Sequence, residues 1–258
     1  MSLQAMIDIH THILPGLDDG ARHREEALAM LRMAAAAGTT DMVASSHANL
    51  EFAFDPQVAE ERIAGLQGAV GNAPRIHYGC ELHLTPESIA DVLRFPQKYS
   101  IGHRGYLLLE FSDFLVPKTS SEILGRMIAR GVHPIIAHPE RNPILRKRMP
   151  ELEAWVGQGC AMQVTAQSLL GRFGKAAAVA SHELMARGLV HFLASDAHDC
   201  EHRPPVLDQV RRYVEEAFDP ETADRLLREN PQAVLDGAPL ATGPVHVRKR
   251  PWFSFSLW

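Results

Sequence analysis

Thiols are scarce in this sequence, with three cysteines among 258 residues. That number cannot build a disulfide framework and suits a reducing compartment. Nor are the cysteines placed for thiolate phosphatase chemistry, which needs an arginine about six residues after the nucleophile to cradle phosphate. The residues at that offset from Cys80, Cys160 and Cys200 are Pro86, Ala166 and Val206. A Gly-x-Ser-x-Gly elbow is missing, which disfavours a serine hydrolase. The phosphate-binding loop of nucleotide-driven kinases is missing too. No apolar run reaches the roughly 18 residues of a membrane span. The opening Met1–Met6 has no basic stretch leading into an apolar one, so a cytoplasmic location is expected. Charge of one sign is also lacking: 26 Lys and Arg against 31 Asp and Glu leave −5, which offers nucleic acid no electrostatic footing.

Histidine, by contrast, is plentiful at 14. A metal in this chain would therefore take imidazole and carboxylate ligands in preference to thiolate. Apolar residues at 46% and charged residues at 22% are ordinary for a globular chain with a sizeable core. The length allows one α/β barrel or two smaller domains.

Short β-rich runs alternate with helical patterns. Strands are expected at Ala5–His10, Thr40–Ser46, Arg75–Glu81, Tyr106–Phe111, Val132–Ala137, Cys160–Thr165 and Leu189–Ser195. Helices are expected at Glu25–Ala37, from Asp55-Pro56 onward, and at Pro86–Arg94, Ser121–Arg130, Glu151–Gly157 and Lys175–Arg187. Two more, at Val206–Phe218 and Glu221–Arg228, close the series. Asp55 followed by Pro56 reads as an N-cap with proline at the first helical position. Seven such units without a linker predict a parallel α/β barrel in one domain over residues 6–240, with an open doubly wound sheet as the alternative. The last residues, 241–258, differ in combining Arg248, Lys249 and Arg250 with Trp252, Phe253, Phe255 and Trp258. They read either as a loosely held tail or as a segment docking on a membrane surface or partner.

Almost every expected strand ends in a residue able to bind metal: His10 and His12, His47, Glu81, Glu110, His138, and Asp196 with His198. Steps between them run from 28 to 35 residues, with one of 58 across the sixth strand, which ends in Gln163 and Thr165. In a parallel barrel the strand C-termini share one face, the face that carries active sites. These residues are therefore expected to converge. Since alternate strand residues share a side, His10 pairs with His12 and Asp196 with His198, and Asp8 is placed to orient an imidazole. A single histidine is usually explained by a local hydrogen bond; a ligand-type residue recurring once per βα unit is not. Asp18 and Asp19 offer a further carboxylate, although Asp-Asp-Gly also suits a plain turn. Zinc, manganese and iron(II) all accept such ligands. The donors exceed the four of one tetrahedral site, which points to two or three ions and to hydrolysis.

Asp8-Ile-His10-Thr-His12-Ile-Leu-Pro-Gly-Leu-Asp18-Asp19-Gly20 resembles the opening motif of the polymerase-and-histidinol-phosphatase (PHP) superfamily. More narrowly, it is similar to that of the bacterial capsule-biosynthesis protein-tyrosine phosphatases. Arg24-Glu25-Glu26, Ser45-Ser46-His47, Gly79-Cys80-Glu81, Leu109-Glu110-Phe111, Ala137-His138-Pro139-Glu140-Arg141 and Ala194-Ser195-Asp196-Ala197-His198 through Arg203-Pro204-Pro205 extend the resemblance in order over residues 6 to 237. It implies a distorted (β/α)7 barrel of the PHP fold and a trinuclear cluster, often of manganese, with iron or zinc as alternatives. The implied activity is removal of phosphate from tyrosines of a bacterial kinase controlling exopolysaccharide export. Carried over, His10, His12 and Asp196 hold one metal, Glu81 bridges to a second completed by Glu110 and His138, and Asp19, His47 and His198 hold a third. The tail and the loop Glu51–Phe54 match no motif, and that loop is placed to influence which substrate fits.

Arg141 and Arg203 follow two of the metal-bearing strands and suit phosphate oxygens through their guanidinium forks. Attack by a metal-bridging hydroxide would expel a phenolate whose conjugate acid has a pKa near 10, so no dedicated general acid is expected. His83 and His202 lie near proposed ligands, but loop solvation explains them equally well. The rival readings are a PHP-type phosphatase or phosphodiesterase acting on histidinol phosphate or nucleotides, an amidohydrolase, which also opens on His-x-His, and a non-catalytic regulator binding phosphotyrosine tails.

Overall fold

The computed structural model describes residues 5–72, 74–243 and 245. Its elements begin β1 (Met6–Thr11), α1 (Arg24–Ala36), β2 (Thr39–Ala44), β3 (His47–Ala48), α2 (Pro56–Val70), β4 (Arg75–Tyr78), β5 (Glu81–His83) and α3 (Pro86–Arg94). They continue β6 (Tyr106–Glu110), α4 (Ser120–Ile128), β7 (His133–Ala137), α5 (Met149–Gln158), β8 (Ala161–Thr165), α6 (Ala166–Leu169), α7 (Gly174–Ala186) and β9 (Phe192–Ala194). The series closes with α8 (Asp208–Ala217), α9 (Pro220–Asp224) and α10 (Asn230–Asp236). The basic and aromatic residues from Arg248 to Trp258 lie outside the described residues.

Every ladder is parallel, in the orders β1–β2–β4 and β3–β5–β6–β7–β8–β9. The two orders are one progression, because the expected second and third strands each break near their C-terminal ends and resume as β3 and β5. Ser45 causes the first break by substituting itself for the ladder: its N–H donates to the Thr11 carbonyl at 2.9 Å and its Oγ accepts from Thr11 N at 3.0 Å. Gly79 lies in the second, where a Cβ would sit 2.4 Å from Val43 Cγ1, so only glycine lets the strands approach this closely. Beyond the breaks β3 pairs with β5, and β5 joins β6. His47 and Glu81 open these new segments directly opposite one another.

The far edge returns to the start. Thr11 bridges Ala197 in parallel, Asp196 N donates to His10 O at 2.9 Å, and His12 N donates to Ala197 O at 2.8 Å. Asp8 contributes here too, in a role the sequence does not suggest. Its Oδ1 accepts from the backbone of Ser195 at 3.0 Å and of His10 at 3.4 Å, so it ties strand ends together and touches no imidazole.

Strand interiors are apolar on both faces, as helices covering a parallel sheet require; Leu107, Leu108 and Leu109 of β6 are all fully buried. Asp55 caps α2 by accepting from the N–H groups of Gln57 and Val58, with Pro56 in the first turn. The seventh strand is shorter than expected, only Phe192–Ala194, while helical structure runs past Arg228. A π-helical turn at Arg225–Glu229 leads into α10, where Pro231 falls in the first turn and its missing N–H is harmless. The short α6 was likewise not apparent from sequence. No helix among the described residues is long and apolar enough to cross a membrane.

Candidate metal centre

The loops and strand ends at the C-terminal side of the sheet bring all nine sequence-identified ligand candidates together. Four overlapping groups have ligand atoms mutually within 4.8 Å: His12–Asp19–His47–His198, His10–Glu81–His138, His10–His12–Asp196 and His47–Glu81–Glu110. The first and third groups contain the third and first sets expected from the resemblance. The second set is divided differently: His138 shares a group with His10, and Glu110 with His47.

Glu81 is the hub. Fully buried, it presents Oε2 3.1 Å from His10 Nε2, 3.3 Å from His12 Nε2 and 3.2 Å from His47 Nδ1. Its Oε1 lies 2.9 Å from His138 Nε2. Yet Glu81 Oε2 and His47 Nδ1 are buried without a hydrogen-bond partner, because they aim past one another. His10 Nε2 and His12 Nε2 likewise face each other at 3.3 Å. Buried lone pairs that crowd without pairing are costly unless something positive sits among them. This donor set fits divalent cations.

Three rings have their tautomers set from behind. Gln163 Oε1 lies 2.9 Å from His10 Nδ1 and accepts from His138 N at 3.3 Å, which identifies that atom as the oxygen. Asp18 Oδ2 holds His12 Nδ1 at 2.9 Å, and the Asp196 carbonyl holds His198 Nδ1 at 3.0 Å. Each ring therefore turns its Nε2 lone pair inward. Asp18 belongs to none of the four groups; it also accepts from His47 N and Gly20 N, so it orients ligands. Asp19, half exposed, places Oδ1 3.4 Å from both His47 Nε2 and His198 Nε2.

Electrostatics agree with a cation site. Burial disfavours the imidazolium of His10 and His12, but Glu81 and Asp196 beside His10, and Asp18 beside His12, outweigh it and raise both. Burial also pushes Glu81 and Asp196 up, yet His10 and, for Asp196, Arg203 and Arg141 hold them well below the usual carboxylate range. The carboxylates are thus ionised near neutrality, and arriving cations displace imidazole protons. Two cluster residues carry backbone strain, His138 at φ 31° and Asp196 at φ 52°.

Asp196 divides its oxygens. Oδ1 lies 3.4 Å from both His10 Nε2 and His12 Nε2, while Oδ2 accepts from Arg141 and Arg203 together. The guanidinium carbons lie 4.5 Å and 5.8 Å from the Phe173 ring centre. Phe173 and Gln163 both come from the sixth unit, which contributes no ligand. Periodicity reveals neither; only Gln163 leaves a trace, at a strand C-terminus in phase with the ligands. His83 Nδ1 contacts Glu110 Oε2 at 3.1 Å, whereas His202 is exposed. The thiols of Cys80 and Cys160 are buried and pushed up, Cys160 to about 12, and that of Cys200 is raised as well. None has the lowered pKa that favours a thiolate nucleophile.

The chain is similar to proteins of known activity. The tyrosine-protein phosphatase YwqE of Bacillus subtilis is 32% identical over 259 residues, covering 97% of this chain and 100% of the relative. A crystal structure from the pair YwqE of Bacillus subtilis and CpsB of Streptococcus pneumoniae, metal-dependent tyrosine phosphatases, matches with TM-score 0.85 at 31% identity. It covers 95% of this chain and 100% of that one. Histidinol phosphate phosphatase of Lactococcus lactis, 12% identical with TM-score 0.54 over 84% of this chain and 93% of that one, shares the fold alone. The family model for capsular polysaccharide synthesis, CpsB/CapC, matches residues 6–236, and the chain belongs to that family.

Proposed function

We propose that this chain is a metal-dependent protein-tyrosine phosphatase acting in the cytoplasm on a bacterial tyrosine kinase that controls capsule or exopolysaccharide synthesis. The observation that carries it is the division of Asp196, whose one carboxylate joins the ligand cluster to a pair of arginines. A phosphate monoester is a dianion, and this junction sets fixed positive charge beside a cation site.

His10, His12, Asp19, His47, Glu81, Glu110, His138, Asp196 and His198 would hold two to three divalent ions, manganese in our reading, with iron or zinc accepted by the same donors. Such ions supply an activated water at neutral pH and neutralise phosphoryl charge. Arg141 and Arg203 bind non-bridging phosphate oxygens through their forks, held at fixed spacing by Asp196 Oδ2 and the face of Phe173. Gln163 and Asp18 keep His10 and His12 in the ligating tautomer. The leaving phenolate, with a conjugate acid near pKa 10, departs without a dedicated acid. Residues 6–240 form the catalytic unit in this reading, with 241–258 either a loosely held tail or a segment docking on a membrane surface or partner.

The test is hydrolysis of a phosphotyrosine peptide, with manganese and after chelation, beside histidinol phosphate and nucleotide monoesters. Metal-dependent turnover of the peptide is expected. Brisk turnover of the small phosphates with none of the peptide would replace this reading by the small-molecule one.

A further inference from the structure

A cavity of about 360 Å³ opens on the same face, beside the cluster and on its far side from the arginines in strand order. Phe52, Phe54, Leu82 and Tyr99 form its apolar wall, and polar side chains, His83, Asp91 and Lys98 among them, line the rest. Two contacts join it to the ligand candidates. The Phe52 ring lies nearly parallel to the His47 imidazole, 13° apart in plane and 6.1 Å between centres. His83 reaches Glu110 through Nδ1. Behind Phe52, the ring of Phe54 packs on Tyr99 and Tyr78 at 6.1 Å and 5.9 Å. Tyr99 in turn directs its hydroxyl to Asp91, leaving ring surface as wall.

An aromatic wall that borders a cluster of charged ligands is an unusual neighbour for a phosphate site unless the substrate brings its own ring. We infer that this cavity is the subsite for the aryl group of the substrate, with Phe52 the residue that determines selectivity for aryl over alkyl phosphate monoesters. The inference rests on the phosphatase reading of the cluster. With phosphate held between the ligand cluster and the arginines, the ester oxygen would point away from the guanidinium pair and towards β3, β5 and α3, the elements that carry this cavity. Its volume lies within the range of sites for small ligands and suits an aromatic side chain with part of its backbone. Ring-to-ring contact of the edge or offset kind adds to the apolar burial. The loop after His47 thereby acquires a task, although it carries no motif.

The test uses ligands that are not turned over. Benzylphosphonate carries a methylene in place of the ester oxygen of phenyl phosphate, and methylphosphonate carries the charge without the ring. Their binding to the metal-loaded protein is measured by calorimetry, with metal content recorded for each variant. Phe52→Ala is expected to weaken benzylphosphonate about tenfold and methylphosphonate less than twofold, while Phe52→Trp preserves both. Phe54→Leu, deeper in the cavity and away from His47, is expected to weaken only the benzyl ligand. Equal loss of both ligands in the Phe52 variants would mean that the ring acts through His47, and unchanged benzyl binding would place the aryl group elsewhere; either overturns the inference. If the protein fails on phosphotyrosine peptide yet still prefers benzylphosphonate through Phe52, the proposed substrate is wrong and the aryl subsite stands.

Discussion

Gln163 Oε1 sits 2.9 Å from His10 Nδ1, so a neutral amide on a strand without ligand candidates sets the tautomer of a ligand candidate on the first strand. The same oxygen accepts from the backbone of His138. One side chain therefore orients two members of the cluster from behind. Replacing it as Gln163→Leu keeps much of the bulk and removes the acceptor. Metal affinity is expected to fall about 10- to 100-fold, read by competition with a chelating dye, with the folded state retained. Unaltered affinity would mean that packing alone positions His10.

Arg141 and Arg203 share Asp196 Oδ2, so they are not independent. Arg141→Lys and Arg203→Lys each keep a charge and lose the fork. Each is expected to lower kcat/KM for an aryl phosphate by about 10²-fold. The double variant should fall short of the product of the two, because both substitutions disturb one carboxylate. Metal content, measured alongside, is expected to change little.

Gly20 is enclosed by the residue that it helps to place. A Cβ there would lie 2.1 Å from the carbonyl oxygen of His12, the atom that already accepts from Ala21 N at 3.0 Å. Gly20→Ala must push the Asp18–Asp19 loop off β1. Both the Asp18 contact to His12 and the Asp19 contacts to His47 and His198 would be lost. A drop in metal stoichiometry is expected together with about 1–3 kcal/mol of destabilisation, read by denaturant titration.

Away from the cluster, Asp41 governs acid stability. Burial pushes its carboxyl up, but His77 at 2.7 Å and Arg75 at 2.8 Å more than offset that and bring it down to about 2. A depressed folded value means that the unfolded chain binds more protons between about pH 4 and 2, so the contribution is present above that window and lost as pH falls through it. Asp41→Asn is expected to cost about 1–3 kcal/mol at pH 7. The difference from the unaltered protein should shrink towards pH 2. A difference independent of pH would assign the loss to packing.

Much of the cluster was legible because ligand residues recur once per βα unit, and a parallel strand order turns that recurrence into proximity. His10, His12, His47, Glu81, Glu110, His138, Asp196 and His198 stand at the ends of six of the seven expected strands and meet at one face in the fold. Asp19 was equivocal, since Asp-Asp-Gly is also turn chemistry, and Asp18 could not be told from it. Which of the two faces His47 depends on the direction in which the loop crosses β1.

Strand and helix types follow from local pattern, and the sequence alone determined the alternation and the candidate ligands and disfavoured thiolate and serine chemistry. The tertiary structure decided what pattern cannot carry. The breaks at Ser45 and Gly79 depend on contacts with Thr11 and Val43, one strand away. Likewise, Gln163, Phe173 and the cavity behind Phe52 act through residues between 5 and 153 positions distant along the chain. Periodicity reports which way a residue points; which partner stands there is set by strand register and loop path, and these are settled only when the whole sheet closes on its core.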